Sequence, residues 1–225
     1  MGARALDVRD SYGGYRQRLV ELLQDKGIRD LAVLKAIGTV PRHLFVPEAV
    51  RHRAYEDAAL PIGAGQTISQ PWVQARSLQE LGLTGREKVL EVGAGSGYQT
   101  ALLSQLAGNV VAVERLASLA ESARDVIRQL GIRNVAMVVG DGTLGWRSLA
   151  PFDAIVVAAA SPTIPTPLVE QLAPGGRMVI PIGDREEQSL VRVERVGDSL
   201  RTTPISDVRF VPLLGQFGFR ESGGR

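Results

Sequence analysis

The stretch VLEVGAGSGYQTALL, residues 89–103, sets Gly93, Gly95 and Gly97 between a short apolar strand pattern and a helical one. Glycines let a ligand approach the main chain closely, and a strand–loop–helix junction aims backbone N–H groups at whatever rests on it. The spacing is G-x-G-x-G. A dinucleotide fingerprint needs G-x-G-x-x-G, and Tyr98 stands where its third glycine belongs. The loop therefore suits a nucleoside without a pyrophosphate, or serves as a packing turn with no ligand. Two acids follow at matching places. Glu114 ends NVVAVE, where a carboxylate can accept from both hydroxyls of a ribose or favour the start of the next helix. Asp141 precedes Gly142 and Thr143. It can accept from the exocyclic amine of adenine, with Gly142 letting the ring lie against the backbone, or act as a turn residue. All three features fall at the carboxyl ends of successive strand patterns, where open α/β sheets bind ligands.

The elements that position them are legible in the periodicity. YRQRLVELLQDKG (15–27) and DLAVLKAIGTVP (30–41) have helical spacing, with Asp30 as N-cap of the second and Pro41 as its stop. Pro47 to Gly65 reads as irregular. SQPWVQARSLQELGL (69–83) reads as a helix with Pro71 in its first turn, which leaves Ser69 free to cap it. From Lys88 the rhythm becomes strand–helix: KVLEVG, SGYQTALLSQLA, NVVAVE, RLASLAESARDVIRQLG, VAMVVGD, FDAIVVAAA, a helix ending in LVEQLAPGG, then RMVIPIG. Strands apolar on both faces that alternate with helices predict an α/β fold with a mostly parallel sheet. SLVRVERVGDSLRTT and VRFVP alternate apolar and polar residues, as antiparallel strands do. No internal repeat or low-complexity segment is present.

Composition bounds the function. The 225 residues are 44% hydrophobic and 22% charged, with a formal charge of +2. That is a globular chain able to bury a large core, without a run of like charge to advertise a nucleic-acid surface. There is no cysteine, which removes disulfides, thiolate metal sites and cysteine nucleophiles. His43 and His52 read as structural or surface residues, and no cluster has metal-ligand spacing. The first residues lack the apolar run of a signal peptide. The longest apolar run, AIVVAAA, is too short to span a bilayer. A cytoplasmic location is the expectation.

VLEVGAGSGYQTALL, VVAVER, GDGTLGW and PFDAIVVAAASPTIPTPLVEQLAPGGRMVIPIG together resemble the core of a class I S-adenosylmethionine-dependent methyltransferase, a Rossmann-like fold. With AYEDAALPIGAGQTISQP (54–71) upstream, the chain is similar to the protein-L-isoaspartate O-methyltransferase family from about Arg42 to Gly183, with an echo in VRFVPLLG (208–215). The resemblance implies one methyltransferase domain over 1–225. Within it, 1–83 would form an N-terminal helical and substrate/lid segment, 84–185 the cofactor-binding core, 186–220 antiparallel strands, and 221–225 a disordered tail. It implies S-adenosylmethionine as cofactor and S-adenosylhomocysteine as product, held by Gln66, Thr67, Ile68, Gly93, Ala94, Gly95, Gly97, Glu114, Arg115, Asp141 and Gly142. It places Ser69 beside the reacting groups and sets Leu60, Pro61, Ile62, Val211 and Pro212 on the substrate side. Departures from the usual pattern fall at Ala64, Trp72 and Ala158-Ala159 and bear on substrate preference.

The implied reaction moves a methyl group to the carboxylate of an L-isoaspartyl residue in damaged peptides and proteins. A carboxylate has an ordinary pKa near 4, so it is already ionised at neutral pH and no general base is needed. Nothing in the chain offers one. Holding oxygen, methyl carbon and sulfur in line can itself remove roughly 7–11 kcal/mol of barrier. The resemblance gives the Ser69 hydroxyl the task of aiming the carboxylate. A monomer acting on peptides, with no nucleic acid, membrane or metal, is expected. An enzyme that esterifies one aspartate in a dedicated peptide would look nearly the same. A small-molecule or nucleic-acid methyltransferase on this core is the other class; AAASPTIP after the fourth core strand lacks the Asn/Asp-Pro-Pro-Tyr of adenine amino-methylases.

Overall fold

The computed structural model describes residues 12–220; the expected tail at 221–225 lies outside them. Two helices open the chain, α1 (Gly13–Asp25) and α2 (Leu31–Thr39). Asp30 caps α2, accepting from the N–H groups of Ala32 at 2.9 Å and Val33 at 3.1 Å. Two 3₁₀ turns follow, at Arg42–Phe45 and Glu48–Arg53. A small hairpin comes next, β1 (Leu60–Gly63) and β2 (Gln66–Ile68), then α3 (Pro71–Leu81).

The α/β part runs β3 (Lys88–Val92), α4 (Tyr98–Leu106), β4 (Asn109–Glu114), α5 (Ala117–Gln129), β5 (Val135–Val139), β6 (Phe152–Val157), α6 (Thr166–Glu170), β7 (Leu172–Gly183), β8 (Gln188–Val196) and β9 (Ser199–Val208). Strands β3 to β9 form one sheet in the order β5-β4-β3-β6-β7-β8-β9. The first five pair in parallel, while β7–β8 and β8–β9 are antiparallel. The chain leaves β3 toward β4 and β5, then returns on the other side of β3 as β6. This reversal opens a crevice at the carboxyl ends of β3 and β6, where such sheets take ligands. One apolar layer joins α1, α2, α3 and α4 to one face of the sheet, through Leu23, Ile37, Leu78, Leu102, Val89 and Val156. A second, with Leu90, Ile155, Leu168, Met178 and Leu213, covers the other face.

Three local expectations change. The passage read as irregular contains β1 and the Gly63-Ala64-Gly65 turn of the β1–β2 hairpin, with positive φ at all three turn residues; the two strands are too short to show periodicity. The helix read as ending in LVEQLAPGG does so at Glu170, but the strand expected from Arg177 begins at Leu172. Leu172 already pairs with Phe152, and Ala173–Gly176 bulge out before Arg177 pairs with Ala154, as Pro and Gly in a strand allow. The apolar run FDAIVVAAA leaves β6 after Val157: Ala158 N donates to Val92 O at 2.8 Å and Ala160 N to Val211 O at 2.8 Å, which turns the alanines into the crevice.

Candidate active site

The glycine loop is built by its position between β3 and α4. Gly97 is the N-cap of α4 in the left-handed region (φ 84°), and a Cβ there would come 2.9 Å from the Ala123 Cβ of α5. Only glycine lets the two helices approach this closely. Gly95, also at positive φ, donates its N–H to Glu114 Oε2 at 2.8 Å. The other oxygen of Glu114 accepts from Leu116 N at 2.9 Å. Glu114 thus ties the glycine loop to the start of α5. A carboxylate has about four acceptor positions, so two remain for the diol of a ribose.

Asp141 is engaged differently. One oxygen accepts from Thr143 N at 2.9 Å and Thr143 Oγ1 at 2.6 Å. The other accepts from Gln216 N at 2.8 Å, and Thr143 Oγ1 accepts from Phe217 N at 3.1 Å. The chain after β9 is thereby fastened over the β5 loop. Gly215 fits only because it lacks a Cβ, which would collide with Asp141. The turn role is realised in full, and one acceptor position is left for an amine.

An open cleft lies among these groups, lined by Gln66 and Thr67 of the hairpin, Gly93, Gly95, Glu114, Arg115, Gly142, Ala158 and the returning segment Val211–Leu214. Its apolar walls, Val92, Val113, Leu116 and Leu213, suit a purine, and Glu114 supplies the polar anchor. The residues present therefore fit an adenosine-bearing ligand such as S-adenosylmethionine. A second groove of about 580 Å³ is lined by Ser69, Gln70, Trp72, Val73 and the segment Asp207–Val211. Thr67, Ala158 and Val211 border both spaces. A third, small cavity of about 30 Å³ lies between Ser69 and the glycine loop, beside Ile68, Ala94, Gln74, Glu91 and Gln99.

Ser69 stands at the junction. It does not cap α3, whose N-cap is Gln70. Asp57 does that work instead, accepting from Trp72 N at 2.8 Å and from Gln70 Nε2 at 3.1 Å. Among the described residues no protein group hydrogen-bonds the Ser69 hydroxyl, which leaves it available to a ligand. The structure does not bring the other expected substrate contacts here. Leu60 is fully buried in the core, Pro61 is exposed, and Ile62 packs toward Gly95 at the other side of the hairpin, where it borders an apolar hollow with Phe45 and Val126. Successive residues of a strand face opposite ways, and the hairpin turns its groove side at Thr67. Val211 borders both the groove and the first cleft, whereas Pro212 lines the first cleft.

Sequence reasoning passed over Glu91, Arg209 and Phe210. Glu91 is a lone acid in an apolar strand, and that isolation was the available signal. It is fully buried, accepting from Thr100 Oγ1 at 2.5 Å and Gln99 Nε2 at 3.2 Å. Burial pushes its carboxyl up to about 8, against those two hydrogen bonds and with help from the nearby Glu114 charge. Among the described residues no group of three His, Cys, Asp or Glu could hold a metal ion, and no helix is long and apolar enough to cross a membrane.

A mostly parallel sheet with a glycine loop, a strand-end acid and a part-apolar cleft at its reversal point defines a Rossmann-like class I methyltransferase. The comparisons make this specific. The family model for protein-L-isoaspartate(D-aspartate) O-methyltransferase matches residues 15–218. The protein-L-isoaspartate O-methyltransferase of Dictyoglomus thermophilum is 51% identical over 210 residues, covering 93% of this chain and 96% of that one. The enzyme of that name from Roseiflexus sp. is 53% identical over 204 residues, covering 91% and 94%. Among solved structures, a protein-L-isoaspartate O-methyltransferase superposes with a TM-score of 0.83 at 30% identity, over 90% of this chain and 67% of that one. A Plasmodium falciparum structure in complex with S-adenosyl-L-homocysteine gives 0.76 at 27% identity, over 88% and 98%. The chain belongs to the protein-L-isoaspartate(D-aspartate) O-methyltransferase family.

Proposed function

We propose that this enzyme transfers a methyl group from S-adenosylmethionine to the free carboxylate of L-isoaspartyl residues in damaged peptides and proteins. Family membership supplies the reaction, and the observation that supports it at the site is the meeting of two spaces at Thr67 and Ala158 with an uncommitted Ser69 hydroxyl beside them. S-adenosylmethionine, when bound, supplies the methyl group on a sulfonium centre. Glu114 would hold the ribose, the Gly142 turn and the Val211–Leu214 segment would enclose the base, and the hairpin residues Gln66 and Thr67 would close over the cleft. In the groove, Ser69 would donate to one carboxylate oxygen and so turn the other toward the donor. The carboxylate arrives ionised, so no residue has to remove a proton. Positioning and exclusion of water do the remaining work.

The ester formed on an isoaspartyl residue is open to attack by the next backbone nitrogen. That releases methanol and closes a succinimide, whose hydrolysis returns some normal aspartate. In this reading the enzyme acts as a cytoplasmic monomer on peptides rather than nucleic acid, in keeping with a chain that has no cysteine and a nearly balanced charge. Synthetic peptides identical except for Asp or isoAsp, incubated with labelled S-adenosylmethionine, test the acceptor. Base-labile label is expected on the isoAsp peptide alone. Equal labelling of both would overturn the repair reading.

A further inference from the structure

Arg42 follows α2 in the turn Arg42–Phe45, and its side chain is completely buried. Nε donates to Ala54 O at 2.9 Å, Nη1 to Gln74 Oε1 at 2.8 Å, and Nη2 to the carbonyl oxygen of Ser69 at 2.8 Å. The guanidinium carbon lies 4.8 Å from the centre of the Tyr98 ring. Every one of these partners is neutral. Asp57, whose charge acts on it, is already paired with Lys26 at 2.6 Å and bonded by Gln70 and Trp72. Burial draws the Arg42 pKa down to about 10, so it remains a cation at neutral pH.

A buried charge without a counterion costs several kcal/mol. Three neutral acceptors could be satisfied by uncharged donors at less cost, so the hydrogen bonds do not account for the charge. The groove beside Ser69 offers no net charge of its own, since Asp207 and Arg209 are the ionisable residues on its walls. Yet the proposed acceptor is an anion that must shed water to react.

We propose that Arg42 is a positioning residue whose missing counterion is the acceptor carboxylate: it pins the Ser69 main chain, and its charge makes the groove prefer an ionised acid. This rests on the proposed function. Methyl transfer neutralises the carboxylate, so the field of Arg42 stabilises the bound substrate more than the transition state. The charge therefore lowers KM and does not raise kcat, whereas its hold on the Ser69 carbonyl serves kcat through the hydroxyl.

Two peptides separate charge from scaffolding: one carrying isoaspartate, the other isoasparagine, whose carboxamide has the same shape and no charge. Their dissociation constants are measured with S-adenosylhomocysteine present. The unsubstituted enzyme is expected to favour the acid by about tenfold or more, the equivalent of one pKa unit. Arg42→Lys should keep that preference, although turnover falls as the fork to Ser69 is lost. Arg42→Met should bind the two peptides alike. A scaffolding role alone would weaken both peptides equally and leave the ratio unchanged in Arg42→Met, which overturns the inference. Should Arg42→Met not fold, the unsubstituted enzyme still decides: the isotope-labelled carboxyl carbon of bound isoaspartate, followed by NMR, should titrate about one unit or more below the free peptide. The other groups facing this region are Arg16, Tyr55, Tyr98, Glu91, Asp57 with Lys26, Asp207 and Arg209; the tyrosines and Glu91 are neutral throughout that titration, and the isoasparagine complex controls for the rest. An equal or raised pKa overturns the inference. Binding of the acid without preference removes the role of Arg42 alone. Failure to bind the isoaspartyl peptide at all removes the proposed function and this inference together.

Discussion

Gly95 and Glu114 are joined across the ends of β3 and β4 by a 2.8 Å hydrogen bond from the glycine N–H to Oε2. The acid therefore shapes the loop as well as facing the cleft. Glu114→Ala is expected to weaken S-adenosylmethionine binding by about 1.5–3 kcal/mol, the worth of hydrogen bonds to a charged acceptor. Glu114→Gln should fall between, because its amide keeps one acceptor oxygen. Calorimetry with S-adenosylhomocysteine reads the difference; an unchanged dissociation constant in a folded Ala variant would reduce the residue to its loop contacts.

Asp141 should behave as a latch. Asp141→Ala removes the acceptor for Thr143 and for the Gln216 N–H together, at roughly 1–3 kcal/mol of stability. Exchange of the Gln216 and Phe217 amides should quicken, and cofactor affinity should drop with them because Val211–Leu214 lines the same cleft. Fast amide exchange with undiminished affinity would separate the latch from the cofactor.

For Ser69, the decisive quantity is turnover per folded molecule. Ser69→Ala is expected to lower kcat by roughly tenfold to a hundredfold, the loss of one hydrogen bond to a charged group. Cofactor affinity and melting temperature should stay nearly constant, since Gln70 is the N-cap of α3 and Asp57 accepts its first N–H, that of Trp72. A lowered melting temperature with normal turnover would contradict this.

Glu91 makes stability depend on pH. Its folded pKa, about 8, is above the ordinary 4.5. Its contribution is complete below the unfolded pKa and is lost as pH rises from about 4.5 through about 8, since the buried carboxyl must then ionise. Glu91→Gln keeps the shape and cannot ionise. Its melting temperature should rise relative to the parent as pH climbs through that window, while below pH 4.5 the two should converge. Parallel curves across the window would show that Glu91 is not the group responsible.

What the sequence revealed follows from what is local. The glycine loop, Glu114 and the Asp30 cap depend on residues a few positions apart, and each lies where its spacing predicts. The β1–β2 hairpin escaped because three- and four-residue strands carry no period, and its facing decides which of Leu60, Ile62 and Thr67 meets the groove. The bonds from Arg42 to Ser69 and from Asp141 to Gln216 span 27 and 75 positions. Nothing in the neighbourhood of either residue announces such a partner. The resemblance placed Ser69 beside the reacting groups; only the structure showed that its competing task, capping α3, belongs to Asp57.

The bulge and return at the end of the sheet have a consequence for how such an enzyme can diversify. The first cleft draws its fixed anchors from β3, β4 and the turn after β5, whereas the neighbouring groove is walled by the hairpin and start of α3 on one side and by Asp207–Val211 on the other. The two spaces share only Thr67, Ala158 and Val211. Changes at the groove residues outside that seam, such as Trp72, Val73, Arg209 and Phe210, would alter the groove while leaving the anchors of the first cleft in place.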